Sequence, residues 1–254
     1  MLLESKASKV ILAFIAILLL VNTAKDWLDF GSCGAVSACL SDAGTLQLYL
    51  KFSMSFLLTV LAFVVTADAF SAKDGTFLRV AFVFSLLADF SFSMIKAISP
   101  DSGNLSNGLG IAFFMVFQAV LIYRHFRRFE TDTSFPKIYW ALVAVIVAVV
   151  VLFAIDVLDF LPAVTFAYAF FVIASMVVGM IAPRLGYFPA RNAQFIRWGM
   201  VTFFFGDVLV GLALITGDDH STVQMVSAIA NNFIWWLYVP AQLMLIHSTA
   251  KPQA

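Results

Sequence analysis

Three ionisable side chains stand where so apolar a chain should have none. Lys51, Asp89 and Asp207 each interrupt a long hydrophobic stretch. A charge at such a position costs at least ~2.5–3.5 kcal/mol on membrane-insertion scales, and residues of this kind tend to face a protein interior and to carry function. Two carboxyl groups held together out of water can divide the work of acid–base chemistry, because their surroundings favour the neutral form of one and the charged form of the other. Such a pair supplies a general acid and a general base from one residue type. A nearby lysine would keep one acid ionised or hold a phosphate. The same residues would also serve a proton-coupled carrier, and a buried Asp can act as interhelical hydrogen-bond glue.

The elements that position these residues follow from composition. Of 254 residues, 62% are apolar and 12% charged, with 15 basic side chains balancing 15 acidic ones. Soluble domains run nearer ~45–50% apolar and ~25% charged, and one soluble core of this length could not enclose the excess. The even charge balance also argues against a nucleic-acid-binding surface. The fold class is therefore all-α, a polytopic transmembrane bundle, since a helix of ~20 apolar residues spans ~30 Å of hydrocarbon. Eight stretches qualify: 10–24, 46–68, 77–97, 107–123, 138–155, 161–182, 197–216 and 223–247. Polar turns such as Ser99–Asn104 and Thr131–Pro136 separate them. No segment has a linker's composition, so residues 1–254 read as a single integral membrane domain. The first span closes on Asn22-Thr23-Ala24, a poor cleavage site, and is read as retained.

The basic residues orient the bundle. With the N-terminus cytoplasmic, twelve Lys and Arg fall on that side, from Lys6 and Lys9 through Lys73, Arg79, Arg124, Arg127 and Arg128 to Lys251. Only Lys25 and Lys96 fall on the other, and Lys51 lies within a span. This positive-inside bias places both termini in the cytoplasm. The outer loops receive acids, among them Asp26, Asp29, Asp42, Asp101, Asp218 and Asp219. Short loops and the absence of a closing retention signal favour a bacterial cytoplasmic membrane over the endoplasmic reticulum. Arg124, Arg127 and Arg128 read as a basic cap against phospholipid. Cys33 and Cys39 share the first outer loop, where an oxidising face would allow a disulfide; two unpaired thiols are the alternative. His125 and His247 belong to one side and His220 to the other, so three His do not converge on a zinc. No G-x-S-x-G, Walker or H-E-x-x-H pattern occurs. Trp235 and Trp236 fall deep enough to pack inside.

Helix rise sets the depths. Asp89 lies about twelve residues beyond the cytoplasmic start of its span and Asp207 about ten beyond its own, which puts both roughly 15–18 Å deep and at one level. Lys51 enters from the outer side by ~7–8 Å, and its stem reaches inward to the acids or outward to head groups. Tyr238 and Gln242, at i and i+4, share a helix face and would hold water or a glycerol hydroxyl. Gly206 leaves room for water beside Asp207, which leans toward Asp207 as the base. The two acids are 118 residues apart, and the same offset from Lys51 lands beside Tyr168. That spacing hints at two parallel four-helix halves with the site between them.

Four motifs occur in a recognisable order: Phe84-Ser85-Leu86-Leu87-Ala88-Asp89 in the third span, Gly199 eight residues before Asp207 in the seventh, Tyr238-Val239-Pro240-Ala241-Gln242 in the eighth, and Tyr49-Leu50-Lys51 opening the second. Together they resemble the YhhN family of eight-span membrane proteins, whose characterised members are lysoplasmalogenases, and the resemblance covers most of the chain. It implies hydrolysis of the vinyl-ether bond of lysoplasmenylethanolamine or lysoplasmenylcholine to a fatty aldehyde and a glycerophospho-head group. Asp89 and Asp207 would be the catalytic acid and base, with Lys51, Ser85, Tyr238 and Gln242 binding substrate. No metal or organic cofactor is required. The partners are the lysophospholipid substrate and membrane lipids; the sequence does not set an oligomeric state. Ala88 stands where the family has Gly, Gly206 where it has Ser, and Phe52 where it has Pro. Where the family has a His closely followed by Tyr in the fourth span, Gln118 and Tyr123 are the nearest candidates, at a different spacing, and join the substrate-binding set. A proton-coupled small-molecule or lipid transporter using the same charges is the alternative.

The charge bias makes a topological prediction. With Cys33 and Cys39 replaced by Ser, Asp101→Cys should be labelled by an impermeant maleimide only in right-side-out vesicles, and Lys73→Cys only in inverted ones. The reverse pattern would overturn the orientation.

Overall fold

The computed structural model describes residues 5–32, 44–127, 137–213 and 221–251. Cys33, Cys39, Arg128 and His220 lie outside the described residues. The described chain forms eight helices, each long and apolar enough to cross a membrane. They are α1 (Lys6–Ser32), α2 (Thr45–Thr66), α3 (Ala72–Ile98) and α4 (Gly103–His125), then α5 (Lys137–Ala154), α6 (Phe160–Leu185), α7 (Ala190–Ala213) and α8 (Ser221–His247). All eight coincide with the apolar stretches, and most reach beyond them. The largest extension is in α1, which runs past Ala24 to Ser32. Asp26, expected in an exposed loop, is instead on this helix and only 4% exposed. The helix continues because its polar groups find partners: Asn22 Nδ2 and Gln47 Nε2 donate to the two Asp26 oxygens at 2.7 and 2.6 Å.

Six of the helices close a ring in the order α2, α3, α4, α6, α7, α8, with α8 returning to α2. The remaining two lie outside it, α1 against α2 and α8, and α5 against α6. Each half of the chain thus repeats one pattern. Its first helix packs on the outside of its second, the second on the third, the third on the fourth, and the fourth on the second helix of the other half. This is the arrangement of two parallel repeats, as the 118-residue spacing of the acids suggests. Small residues let the ring helices approach closely. A Cβ on Gly179 of α6 would come within 2.6 Å of Met200 Cγ on α7, and one on Gly199 of α7 within 3.3 Å of the Ala241 carbonyl on α8. Phe114 fills the middle of the ring, its face or edge against Phe92, Phe117, Tyr168, Phe203 and Tyr238.

A buried charge network ties the helices together at the end where α8 finishes. Arg124 and Asp74 are both fully buried and pair at two points, Nε to Oδ1 at 3.0 Å and Nη2 to Oδ2 at 2.7 Å. Thr249 Oγ1 donates to Asp74 at 2.8 Å and Arg124 Nη1 to Ser248 Oγ at 2.9 Å, so the segment after α8 is bound to the start of α3 and the end of α4. Asn192 of α7 holds the Ser248 and Ala250 carbonyls, and the Phe70 amide holds that of Thr249. Phe188, between α6 and α7, covers the Arg124 guanidinium at 5.1 Å.

Arg124 is therefore not part of a surface cap, as its place at a span end suggests. A partner 50 residues away takes it into the core. Trp236 also departs from expectation: Trp235 is buried against Tyr238, but Trp236 is 41% exposed on the outer face of α8. Removing one member of a buried pair leaves an uncompensated charge and costs about 3–5 kcal/mol, whereas an exposed pair is worth at most about 1 kcal/mol. Asp74→Asn should accordingly lower the thermal unfolding midpoint sharply in detergent, while Lys251→Ala, which breaks the exposed pair with Asp68, should barely move it.

Candidate functional site

Inside the ring every one of its six helices contributes a polar side chain, and these side chains form two hydrogen-bonded groups. The first surrounds Asp89, which is 7% exposed. Ser55 Oγ of α2 donates to its Oδ2, and the Tyr238 hydroxyl of α8 donates to the same oxygen at 2.6 Å. With its single proton on the carboxylate, the Tyr238 hydroxyl accepts from Ser85 Oγ at 2.8 Å, and Ser85 in turn accepts from Gln242 Nε2 at 3.0 Å. The result is a chain of donors running one way, from Gln242 through Ser85 and Tyr238 to Asp89. The spacing on each helix dictates it: Ser85 and Asp89 are one turn apart on α3, and Tyr238 and Gln242 one turn apart on α8.

The second group surrounds Asp207 on α7. The Tyr168 hydroxyl of α6 donates to its Oδ2 at 2.9 Å. Gln118 of α4 lies alongside that hydroxyl, and its Oε1 accepts from Ser175 Oγ at 2.6 Å. Unlike Asp89, both Asp207 and Tyr168 are half-buried. The two groups meet at Phe114, whose ring touches both tyrosines at 6.3 and 6.2 Å between centroids, and Asp89 is near enough for its charge to act on Asp207. Asp89 and Asp207 each lie 17 residues beyond the first residue of their helix, Ala72 and Ala190, farther in than the apolar stretches suggest because both helices begin earlier.

Within these two groups, two side-chain atoms have no hydrogen-bond partner among the described residues, Gln118 Nε2 and Gln242 Oε1. A buried donor and a buried acceptor left open, one in each group, are places for a ligand or water to bind. Just past Asp89 the α3 backbone widens into a π turn over Ser91–Ile95, a departure from α geometry that recurs at functional sites. There Phe92 packs so closely over Gly110 of α4 that a Cβ would meet its ring at 2.6 Å.

Among the sequence candidates, Asp89, Asp207, Ser85, Tyr238, Gln242 and Gln118 come together. Tyr123 does not. It is 38% exposed on another face of α4, with its ring on Phe77. Lys51 is half-buried one turn from Ser55, and the charges that act on it are Asp26 and Lys96 rather than the two inner acids. Gly206 opens no space for water beside Asp207, because it faces Leu237 and the Tyr238 backbone where α7 meets α8. Ser55, Tyr168 and Ser175 complete the site without having been singled out as site residues. Ser55 had a readable signal, lying four residues after Lys51 on the same face of α2.

Comparison with known proteins bears on this arrangement. A model of the YhhN family matches residues 46–249. The chain belongs to the YhhN family. No curated protein matches it, and no solved structure does. The YhhN match begins within α2 and takes in every ring helix, so all the side chains of the two groups lie in the matched segment. α1, which supplies Asp26, lies outside it. Ala88, before the third-span acid, is fully buried, and Gln118 lies on the wall next to Tyr168.

Proposed function

We propose that this YhhN protein hydrolyses the vinyl-ether bond of lysoplasmalogens, releasing a fatty aldehyde and a glycerophospho-head group. Family membership supports the reading. The observation that carries it is the facing pair of intramembrane carboxyls, each hydrogen-bonded to a tyrosine hydroxyl and neither in an ion pair among the described residues.

The reaction adds water across one bond. A carboxylic acid gives its proton to the second carbon of the alkenyl chain, and the positive charge that develops is shared between the first carbon and the ether oxygen. The opposite carboxylate stabilises that cation and takes a proton from water as the water adds to the first carbon. The hemiacetal then collapses: its carbon–glyceryl oxygen bond breaks as the second carboxyl returns its proton to that oxygen. The hemiacetal hydroxyl proton passes to the first carboxylate, which leaves the aldehyde, the glycerol hydroxyl and both carboxyls in their starting forms. Asp89, with hydroxyl donors from both Ser55 and Tyr238, is the better furnished to carry charge. Asp207, with one donor and the more open position, is placed to meet the alkenyl chain as the acid. The open Gln118 Nε2 and Gln242 Oε1 supply a donor and an acceptor for the attacking water or the glycerol hydroxyl. An apolar chain is accommodated by the phenylalanine-rich interior around Phe114.

Asparagine keeps the shape of each acid and removes its proton chemistry. Asp89→Asn and Asp207→Asn should each lower aldehyde release from 1-alkenyl lysophosphatidylethanolamine by about 10²–10⁴-fold while leaving the unfolding midpoint and lipid binding near wild type. Full turnover by either variant would remove the two-carboxyl mechanism.

A further inference from the structure

The face of α2 that meets Asp89 continues toward the other end of the bundle, away from the Arg124–Asp74 network. Gln47, Lys51 and Ser55 recur every four residues and form one stripe, rising about 6 Å per step. At its inner end Ser55 donates to Asp89; at its outer end Gln47 donates to Asp26. Lys51 stands between them, half-buried and under the charges of Asp26 and Lys96. Asn22, only 1% exposed, gives its Nδ2 to Asp26 and leaves its Oδ1 with no partner among the described residues. Because a carboxylate only accepts, Asp26 fixes which end of Asn22 is left open. At the same level of the bundle the edge of Phe233 meets Trp27, and the neighbouring Asn232, also buried, has an unpartnered Nδ2.

A buried acceptor without a donor is costly, and one beside a carboxylate is suited to a cationic N–H. Resting on the reading above, we infer that this cluster is the head-group subsite: Lys51 takes the substrate phosphate, while Asp26 and Asn22 Oδ1 take a primary ammonium. The spacing agrees. In a 1-alkenyl lysophosphatidylethanolamine the phosphorus is six single bonds from the vinyl-ether carbon and the nitrogen ten. With bonds of ~1.5 Å in a zigzag, those reaches are about 7 and 12 Å. Along α2, Lys51 lies about 6 Å and Gln47, which holds Asp26, about 12 Å beyond the level of Ser55 and Asp89. The zwitterion therefore meets the Lys51 and Asp26 charges in complementary order. A trimethylammonium has no N–H for Asn22 or Asp26, so the subsite selects ethanolamine over choline.

Binding can be read without catalysis by using 1-alkyl ether lysolipids, which lack the vinyl bond. In calorimetric titrations of the purified full chain, the ethanolamine ether should bind about tenfold more tightly than the choline ether. Asp26→Asn should erase that preference by weakening the ethanolamine ether about tenfold more than the choline ether; an unfolding midpoint near wild type shows that the variant is folded. Asn22→Leu should reduce the preference, and Lys51→Gln should weaken both ligands. Equal affinities in the wild type, binding of neither lipid, or an Asp26→Asn protein that keeps the preference would overturn the subsite. Aldehyde release from the alkenyl lipid is scored separately. Head-group preference without aldehyde would refute the hydrolysis and leave the subsite standing, whereas aldehyde without preference would do the opposite.

Discussion

A polar group left unpaired in hydrocarbon loses several kcal/mol against water, because nothing in a bilayer core can replace its hydrogen bonds. Two carboxyl groups inside membrane-spanning helices can be kept only if other helices supply what water would have supplied. The six-helix ring meets that demand. Asp89 on α3 is served from α2 and α8, and Asp207 on α7 from α6. No single helix pair could do this, since the donors come from different sides of the interior. The sites left open, Gln118 Nε2 and Gln242 Oε1, are then the exceptions that give the interior a use.

The repeat explains why the acids face each other. Parallel halves that each carry an acid on their third helix bring the two acids to one level on opposite walls when the ring closes. The two ends of the bundle are built differently. At one end, Arg124, Asp74, Ser248 and Thr249 form a fully buried clamp that ties the chain after α8 to α3 and α4. At the other, the stripe on α2 leads from Asp89 past Lys51 to Asp26, a graded polar path instead of a closed plug. A lysolipid lying along that path would have its head group at the polar end and its reactive bond between the carboxyls.

The parts legible in the sequence were those where a residue type contradicts its surroundings. Eight apolar stretches gave eight helices, and Asp89 and Asp207 stood out because acids seldom interrupt such stretches. Tyr238 and Gln242 were legible as a pair because four residues make one helical turn, and both do converge on Ser85. Ser55 and Ser175 were harder to see, since a serine in a membrane helix is ordinary until its rotational position relative to a neighbour is known. Arg124 misled for the same reason. A cation at a span end reads as a surface anchor, and its burial depends on Asp74, brought to it only by the packing of α3 on α4. Asp26 followed Lys25 out of an apolar run and read as loop, because its partner Gln47 belongs to the next helix.

The central claim, protonation of an alkenyl carbon by an intramembrane acid, is tested most directly by isotope. Purified protein in D2O is given 1-alkenyl lysophosphatidylethanolamine, with the 1-acyl analogue in parallel, and the product is trapped by reduction and weighed by mass spectrometry. The account predicts a fatty aldehyde carrying one deuterium on the carbon next to the carbonyl, and no product from the acyl lipid. Fatty acid from the acyl lipid, aldehyde without deuterium, or no product from well-folded protein would contradict it.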